Sequence, residues 1–160
     1  MISRLKLKNF KAFESLNVEF RPLTFILGPN NSGKSSIIAP LRLLTQTMES
    51  YDSEVSLLLD GIMGDFGTYK DIVFGNYRAR GFEISIDFNY KLHPTRKSSP
   101  IRLDLYYKYR TKRRELILKK LNLLIKSKNL ISLDYSSESE RMLISSLTGK
   151  QIPSTLKSSI

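Results

Sequence analysis

The amino-acid sequence predicts an α/β fold, with a mixed core sheet built around a glycine-containing loop and an antiparallel β side sheet. Three observations predict it. A short, continuously apolar run, Thr24–Leu27, enters the loop Gly28–Ser35, and apolar residues at helical spacing follow. Two segments before the loop alternate apolar and polar residues with period two. Beyond residue 80 the same alternation returns several times, without the regular strand-helix succession of a doubly wound sheet.

Taken in order, Ile2–Phe10 alternates and reads as a strand with one buried face. Leu16–Phe20 alternates as well, and Lys11–Ser15 between them reads as a turn, which makes the two an antiparallel pair. Arg21-Pro22 ends that pattern. Thr24–Leu27 is apolar throughout, as suits a strand covered on both faces. Ile37, Ile38, Leu41, Leu44 and Met48 then predict a helix over Lys34–Ser50, kinked at Pro40, whose ring removes one backbone donor.

Ser53–Asp60 reads as a short helix, and Gly61, Gly64 and Gly67 as a loop-rich connection. Arg80–Tyr90 and Ile101–Tyr109 alternate clearly, with a polar turn from His93 to Pro100 between them. Leu116–Ile125 and Asn129–Tyr135 read as further strands, and Ser139–Leu147 as a short helix. Residues 1–147 thus form one lobe, and the Ser- and Lys-rich stretch Thr148–Ile160 a frayed tail.

Composition removes several classes of chemistry. The chain has 160 residues and no cysteine, so disulfides, thiolate metal sites and cysteine nucleophiles are excluded. A single histidine, His93, cannot make a histidine-rich metal centre. No apolar stretch is long enough for a bilayer span or a signal peptide, so a cytoplasmic protein without a membrane partner is expected. The net charge of +11 favours polyanionic partners. Its densest cluster, Lys108–Arg114, lies beside Tyr106, Tyr107 and Tyr109. Two readings stay open for it: a solvated basic hairpin turn, or a surface on which nucleic-acid bases stack.

The loop Gly28-Pro-Asn-Asn-Ser-Gly33-Lys34-Ser35 matches the pattern G-x-x-x-x-G-K-[ST] in full. Each position has a physical reason. A helix N-terminus offers free N–H groups and a positive dipole end to phosphate. A backbone that wraps phosphates needs positions without a Cβ, hence Gly28 and Gly33. Lys34 brings an ammonium to the β- and γ-phosphates, and the Ser35 hydroxyl is a ligand for Mg²⁺. The apolar run before the loop and the amphipathic helix after it are the context such a loop requires.

With these residues on the page, the chain resembles the start of SMC/RecF/OLD-type ATPases, the ABC-class P-loop NTPase heads of DNA repair, chromosome maintenance and phage defence. Lys8-Asn-Phe-Lys-Ala-Phe13 and Gly28–Ser36 carry the likeness over about residues 1–50, and Phe66–Phe74 resembles a segment of the RecF/OLD-like branch. The resemblance implies an N-terminal lobe of such a head that binds ATP and Mg²⁺ through Gly28–Ser36, including Asn30, Asn31, Ser32, Gly33 and Ser36. It implies that Asn30 faces the γ-phosphate and that Lys11 reaches the nucleotide phosphates. Without it, Lys11 is a solvated turn lysine. Asn31 stands where many ABC-class loops have glycine, which is usual in the RecF/OLD-like branch.

Other parts of such a head are missing from the sequence. Hydrolysis in this class needs an apolar run followed by Asp-Glu, and no Asp-Glu pair occurs here. Leu57–Gly61 is the nearest approach, with Gly61 in place of the acid. Ser146–Gln151 only superficially resembles the serine/glycine signature, and neither Gln46 nor Gln151 stands in a glutamine loop. The resemblance therefore implies hydrolysis only with a missing C-terminal half, which a second chain or an omitted C-terminal region supplies or which has been lost. It also implies a homodimer or a complex with a chain supplying that half, and DNA as a partner, directly or through a complex. A nucleotide-independent nucleic-acid-binding module using 106–114 is the alternative. A small-molecule P-loop kinase is disfavoured by the antiparallel strands.

Overall fold

The structure is a computed structural model of the chain. It describes residues 1–52, 55–77, 79–90 and 98–136, and the backbone of 141–147 and 150–151. Strands β1 (Ile2–Phe10) and β2 (Phe13–Glu19) precede helix α1 (Lys34–Met48). The small pair β3 (Asp60–Gly61) and β4 (Gly64–Asp65) leads to α2 (Tyr69–Ile72). Then come β5 (Phe82–Tyr90), β6 (Ser99–Arg110), β7 (Glu115–Ile125), β8 (Lys128–Ser136), β9 (Arg141–Leu147) and β10 (Lys150–Gln151).

Eight strands form one sheet in the order β10-β9-β8-β7-β6-β5-β1-β2, and every neighbouring pair in it is antiparallel. This corrects the expected mixed core sheet beside a separate side sheet. Among the described residues, the strands before the loop and those after residue 80 belong to one continuous antiparallel sheet. The register explains the alternation: Leu5 faces Ile86, Ile86 faces Leu103, and Leu103 faces Leu123, so apolar residues stand in rows on one face. The opposite face carries matching polar rows, such as Lys6, Ser85, Asp104 and Asn122.

The apolar face is covered by α1, which buries Ala39, Pro40, Leu43 and Gln46, and by the 57–73 segment, which buries Leu57, Phe66, Tyr69, Ile72 and Val73. Helix α1 runs through Pro40, whose ring is fully buried in this core. At the centre lies Phe82, 0 % exposed, with Phe10 edge-on at 5.5 Å, Tyr107 stacked at 5.1 Å and Tyr69 tilted at 6.1 Å. Burial pushes the Tyr69 hydroxyl up to about 12, and this hydroxyl donates to the Arg80 carbonyl.

Three expectations are overturned. Thr24–Leu27 is not a buried strand: it pairs with nothing described, and Leu23, Phe25 and Leu27 are 73 %, 74 % and 87 % exposed. Pro22 lacks a ladder donor. Beside it, Thr24 Oγ1 accepts the Arg21 N–H at 3.0 Å, in a turn that leads the chain off the β2 edge. The described part of Ser53–Asp60 is not helical, because α1 claims its backbone: Leu58 N–H donates to Thr47 Oγ1 at 2.9 Å, and Gln46 Nε2 donates to the Leu58 carbonyl at 2.5 Å. Finally, Arg141–Leu147 is strand β9, paired to β8 with Met142 opposite Tyr135, where a helix was expected. Within the expected tail, Lys150–Gln151 pairs back onto β9, and the rest of that stretch lies outside the described residues. The His93 turn also lies largely outside them.

On the polar face, Arg102 grips Asp87 with two bonds, Nε to Oδ1 at 2.6 Å and a terminal amine to Oδ2 at 2.9 Å. This hydrogen bonding holds the Asp87 carboxyl below its usual range. A depressed carboxylate adds stability above its unfolded pKa of about 4, and that stability disappears as pH falls through the lower, folded value. Urea titrations at neutral pH and at about pH 2 are expected to show a smaller loss of stability on acidification for Asp87→Asn than for the wild type.

Candidate phosphate-binding site

The 28–36 loop joins the exposed Thr24–Leu27 segment to α1. Its backbone needs small residues at two points. Gly33 has φ 86°, and a Cβ there would stand 3.1 Å from Phe13 Cζ and 3.2 Å from Ala12 Cβ. Gly28 lies at φ 157°, and a Cβ there would meet Ser32 Oγ at 2.9 Å. Asn31 takes the left-handed conformation, φ 63°, which asparagine tolerates better than most side chains. The Ser36 N–H closes the turn onto the Gly33 carbonyl at 3.0 Å.

Gly33 is the N-cap of α1 and supplies no side-chain hydrogen bond, and the first helical turn contains no acidic residue. Apart from the Ser36 N–H, the first turn therefore presents its N–H groups at the positive dipole end with no carboxylate to occupy them. The Lys34 ammonium folds back over the loop, donating to the Gly28 carbonyl at 2.7 Å and to the Pro29 carbonyl. Asn30, Asn31, Ser32 and Ser35 are exposed, while Gly33, Lys34 and Ser36 are half-buried. Among the described residues no group of three or more His, Asp or Glu could hold a metal ion, so protein carboxylates do not define a cation site. The residues present fit an anionic group: glycines where a Cβ would intrude, a bare helix N-terminus, one ammonium and an open hydroxyl.

The β1–β2 turn, which carries Lys11, lies at the flank of this loop. Lys11 sits next to the Ala12 and Phe13 that press on Gly33. The solvated-turn reading does not describe it, since the side chain is half-buried and its ammonium stands 5.5 Å from the centre of the Phe66 ring. Burial lowers its pKa, and the carboxylates of Asp71 and Asp65 act in the opposite sense. Arg42, from α1, approaches the same ring at 5.4 Å. Sequence reasoning missed the residues behind Lys11. The one signal for them was Thr68-x-x-Asp71, which forms a capping box at the start of α2.

The basic cluster separates into two parts. Thr111–Arg114 is the exposed turn of the β6–β7 hairpin, as the solvated-turn reading expected. Of the aromatic part, Tyr107 is 2 % exposed in the core and Tyr109 stacks on Tyr69 at 5.0 Å, while Tyr106 is half-buried on the polar face, opposite Glu83 and Lys120. Gln46 is buried at the end of α1, bonded to Leu58, and belongs to the core. No helix among the described residues is long and apolar enough to cross a membrane.

This geometry agrees with what the chain is similar to. Residues 1–159 match the protein family described as an AAA ATPase domain. A segment of 44 residues is 41 % identical to an OLD nuclease of Thermus scotoductus. That segment is 28 % of this chain and only 8 % of the relative. The family match runs through the whole sheet as well as the loop, and the relative is of the OLD type. The chain therefore belongs to the AAA ATPase domain family and is like the N-terminal region of an OLD/RecF-type ATPase.

Proposed function

We propose that this chain binds Mg²⁺–ATP at Gly28–Ser36, as the N-terminal lobe of an OLD/RecF-like ATPase head acting in DNA maintenance or defence. The observation that carries the reading is the uncapped start of α1, free of carboxylates, with the Lys34 ammonium held in the loop that precedes it. In the bound state, the N–H groups at the start of α1 would donate to phosphate oxygens, and Lys34 would exchange two neutral carbonyls for charged acceptors. Ser35, exposed at the first turn, would offer its hydroxyl to the Mg²⁺ that accompanies the triphosphate. Asn30 and Lys11 would contact phosphate from the loop and from its flank.

Hydrolysis needs a water-polarising acid, which this sequence does not carry after an apolar run. A C-terminal half from another chain, or from a C-terminal region beyond this sequence, would supply it. The exposed apolar side chains of Leu23, Phe25 and Leu27 support that view, since a patch of this kind marks a surface that a partner covers. DNA would be the partner of the assembled head. Calorimetry with the purified chain is expected to show Mg²⁺-dependent binding of ATP, and a phosphate-release assay no turnover. Absence of binding heat at millimolar nucleotide from a folded sample overturns the assignment, as does turnover that survives Lys34→Ala.

The alternative, a nucleic-acid-binding module indifferent to nucleotide, retains the basic turn and Tyr106 but loses Tyr107 to the core and Tyr109 to its stack on Tyr69. Salt-sensitive DNA binding unchanged by ATP and by Lys34→Ala would favour it.

A further inference from the structure

The β6–β7 hairpin and the 57–73 segment meet around a cleft of about 290 Å³. Leu59, Tyr69 and Lys70 line it from one side, and Tyr109, Arg114 and Leu116 from the other. Tyr109 stands opposite Leu116 in the β6–β7 ladder and stacks on Tyr69 at 5.0 Å, which holds the two sides together. Two of the lining residues, Lys70 and Arg114, are cations, and none is a carboxylate. Both cations are exposed, and neither makes an ion pair with a described residue. The carboxylates next to them in sequence are engaged elsewhere. Asp71 Oδ2 accepts the Thr68 N–H at 2.7 Å and the Thr68 hydroxyl at 2.8 Å, and Glu115 pairs with Arg110 at 3.0 Å. Apolar walls beside two like charges concentrate a positive field inside the cleft.

We propose that a DNA backbone crosses this cleft, with one phosphate on Lys70 and the next on Arg114. The exposed Lys112 and Arg113 of the same turn extend the positive surface beyond it. This rests on the DNA partnership proposed above and names its surface; it does not depend on nucleotide binding at Gly28–Ser36. The volume lies at the bottom of the range that small-molecule sites occupy, so the cleft suits one unit of a polymer and not a whole cofactor. Leu59, Tyr109 and Leu116 offer the sugar an apolar floor between the two charges. The Arg114 guanidinium can grip phosphate with two parallel bonds, and Lys70 supplies a point charge. Contacts of this kind fix a protein on the backbone without reading sequence, so no base has to stack on the tyrosines.

The test is fluorescence anisotropy of a short labelled DNA duplex with the full chain, over a series of KCl concentrations and without nucleotide. The variants are Lys70→Gln, Arg114→Gln, the pair together, and Lys126→Gln. Lys126 is exposed in the turn at the other end of β7, so its loss removes the same charge away from the cleft. Each cleft substitution is expected to reduce the slope of log Kd against log salt by about 1, and the pair by about 2. Each should weaken binding about fivefold at roughly 0.15 M salt, equally for two duplexes of unrelated sequence. Lys70→Arg keeps the charge and is expected to keep the slope. Cleft variants with the wild-type slope overturn the inference, and so does an equal change in Lys126→Gln. Displacement of the duplex by poly-glutamate at equal charge concentration assigns the cleft to an acidic protein partner and overturns it too. If the wild type binds the duplex and the cleft variants match it, only this inference falls. If the wild type binds no duplex, the DNA partnership falls with it, and Mg²⁺–ATP calorimetry decides the nucleotide reading separately.

Discussion

Lys34→Ala is expected to weaken Mg²⁺–ATP binding by about 3 kcal/mol, roughly 150-fold in Kd. The ammonium now donates to two loop carbonyls, Gly28 at 2.7 Å and Pro29. Both are neutral acceptors, and a phosphate oxygen adds attraction between two full charges to the hydrogen bond. Exchange of carbonyl for phosphate is thus favourable, and alanine forfeits it entirely. The fold should tolerate the change, because the side chain lies outside the buried cluster. Thermal unfolding within a few degrees of wild type, combined with lost binding heat, is the expected pair of results. An affinity within twofold of wild type would remove Lys34 from the site.

The largest loss of stability is expected at Phe82. Its ring is fully buried and touches Phe10, Tyr69 and Tyr107, so truncation opens a void bounded by three rings that cannot all close on it. Phe82→Ala should cost about 3–5 kcal/mol, a large part of the roughly 5–15 kcal/mol that keeps a domain folded. Urea denaturation measures this directly. Tyr51→Ala is the control: that side chain is fully exposed, and its loss should change stability by less than about 0.5 kcal/mol. A Phe82→Ala variant as stable as Tyr51→Ala would contradict the packing described.

Much of the sheet was legible in the sequence because the period-two pattern is local. Each of β1, β5, β6, β7 and β8 places apolar residues on one face in its own stretch, and no distant information is needed to see it. The proposed phosphate loop, Gly28–Ser35, stands out for the same reason, being a short, contiguous pattern. The misreadings are non-local. Leu57-Leu58-Leu59 suggests a helix until Gln46 and Thr47 of α1 take the backbone of Leu58. Arg141–Leu147 carries apolar residues at spacings that suit either structure, and pairing with β8 decides between them. Thr24–Leu27 has the composition of an enclosed strand, but composition cannot say which neighbours a chain provides. The Lys11 seat was invisible because Lys11 and the Phe66–Asp71 segment are distant in sequence and meet only once β1 has docked.

The strand order also has a consequence for how the molecule reaches its native state. From β5 to β10 each strand pairs with its immediate successor, so this meander can zip up through short closures. Joining β1 to β5 is different: Ser3 and Asp87, which meet across that seam, are 84 residues apart in the chain. Closing so long a span carries the larger entropic penalty and is expected to come late. The 28–36 loop lies within that span, so this proposed nucleotide cradle should be among the last parts to assemble. A ligand that grips it would then slow unfolding more than it hastens folding.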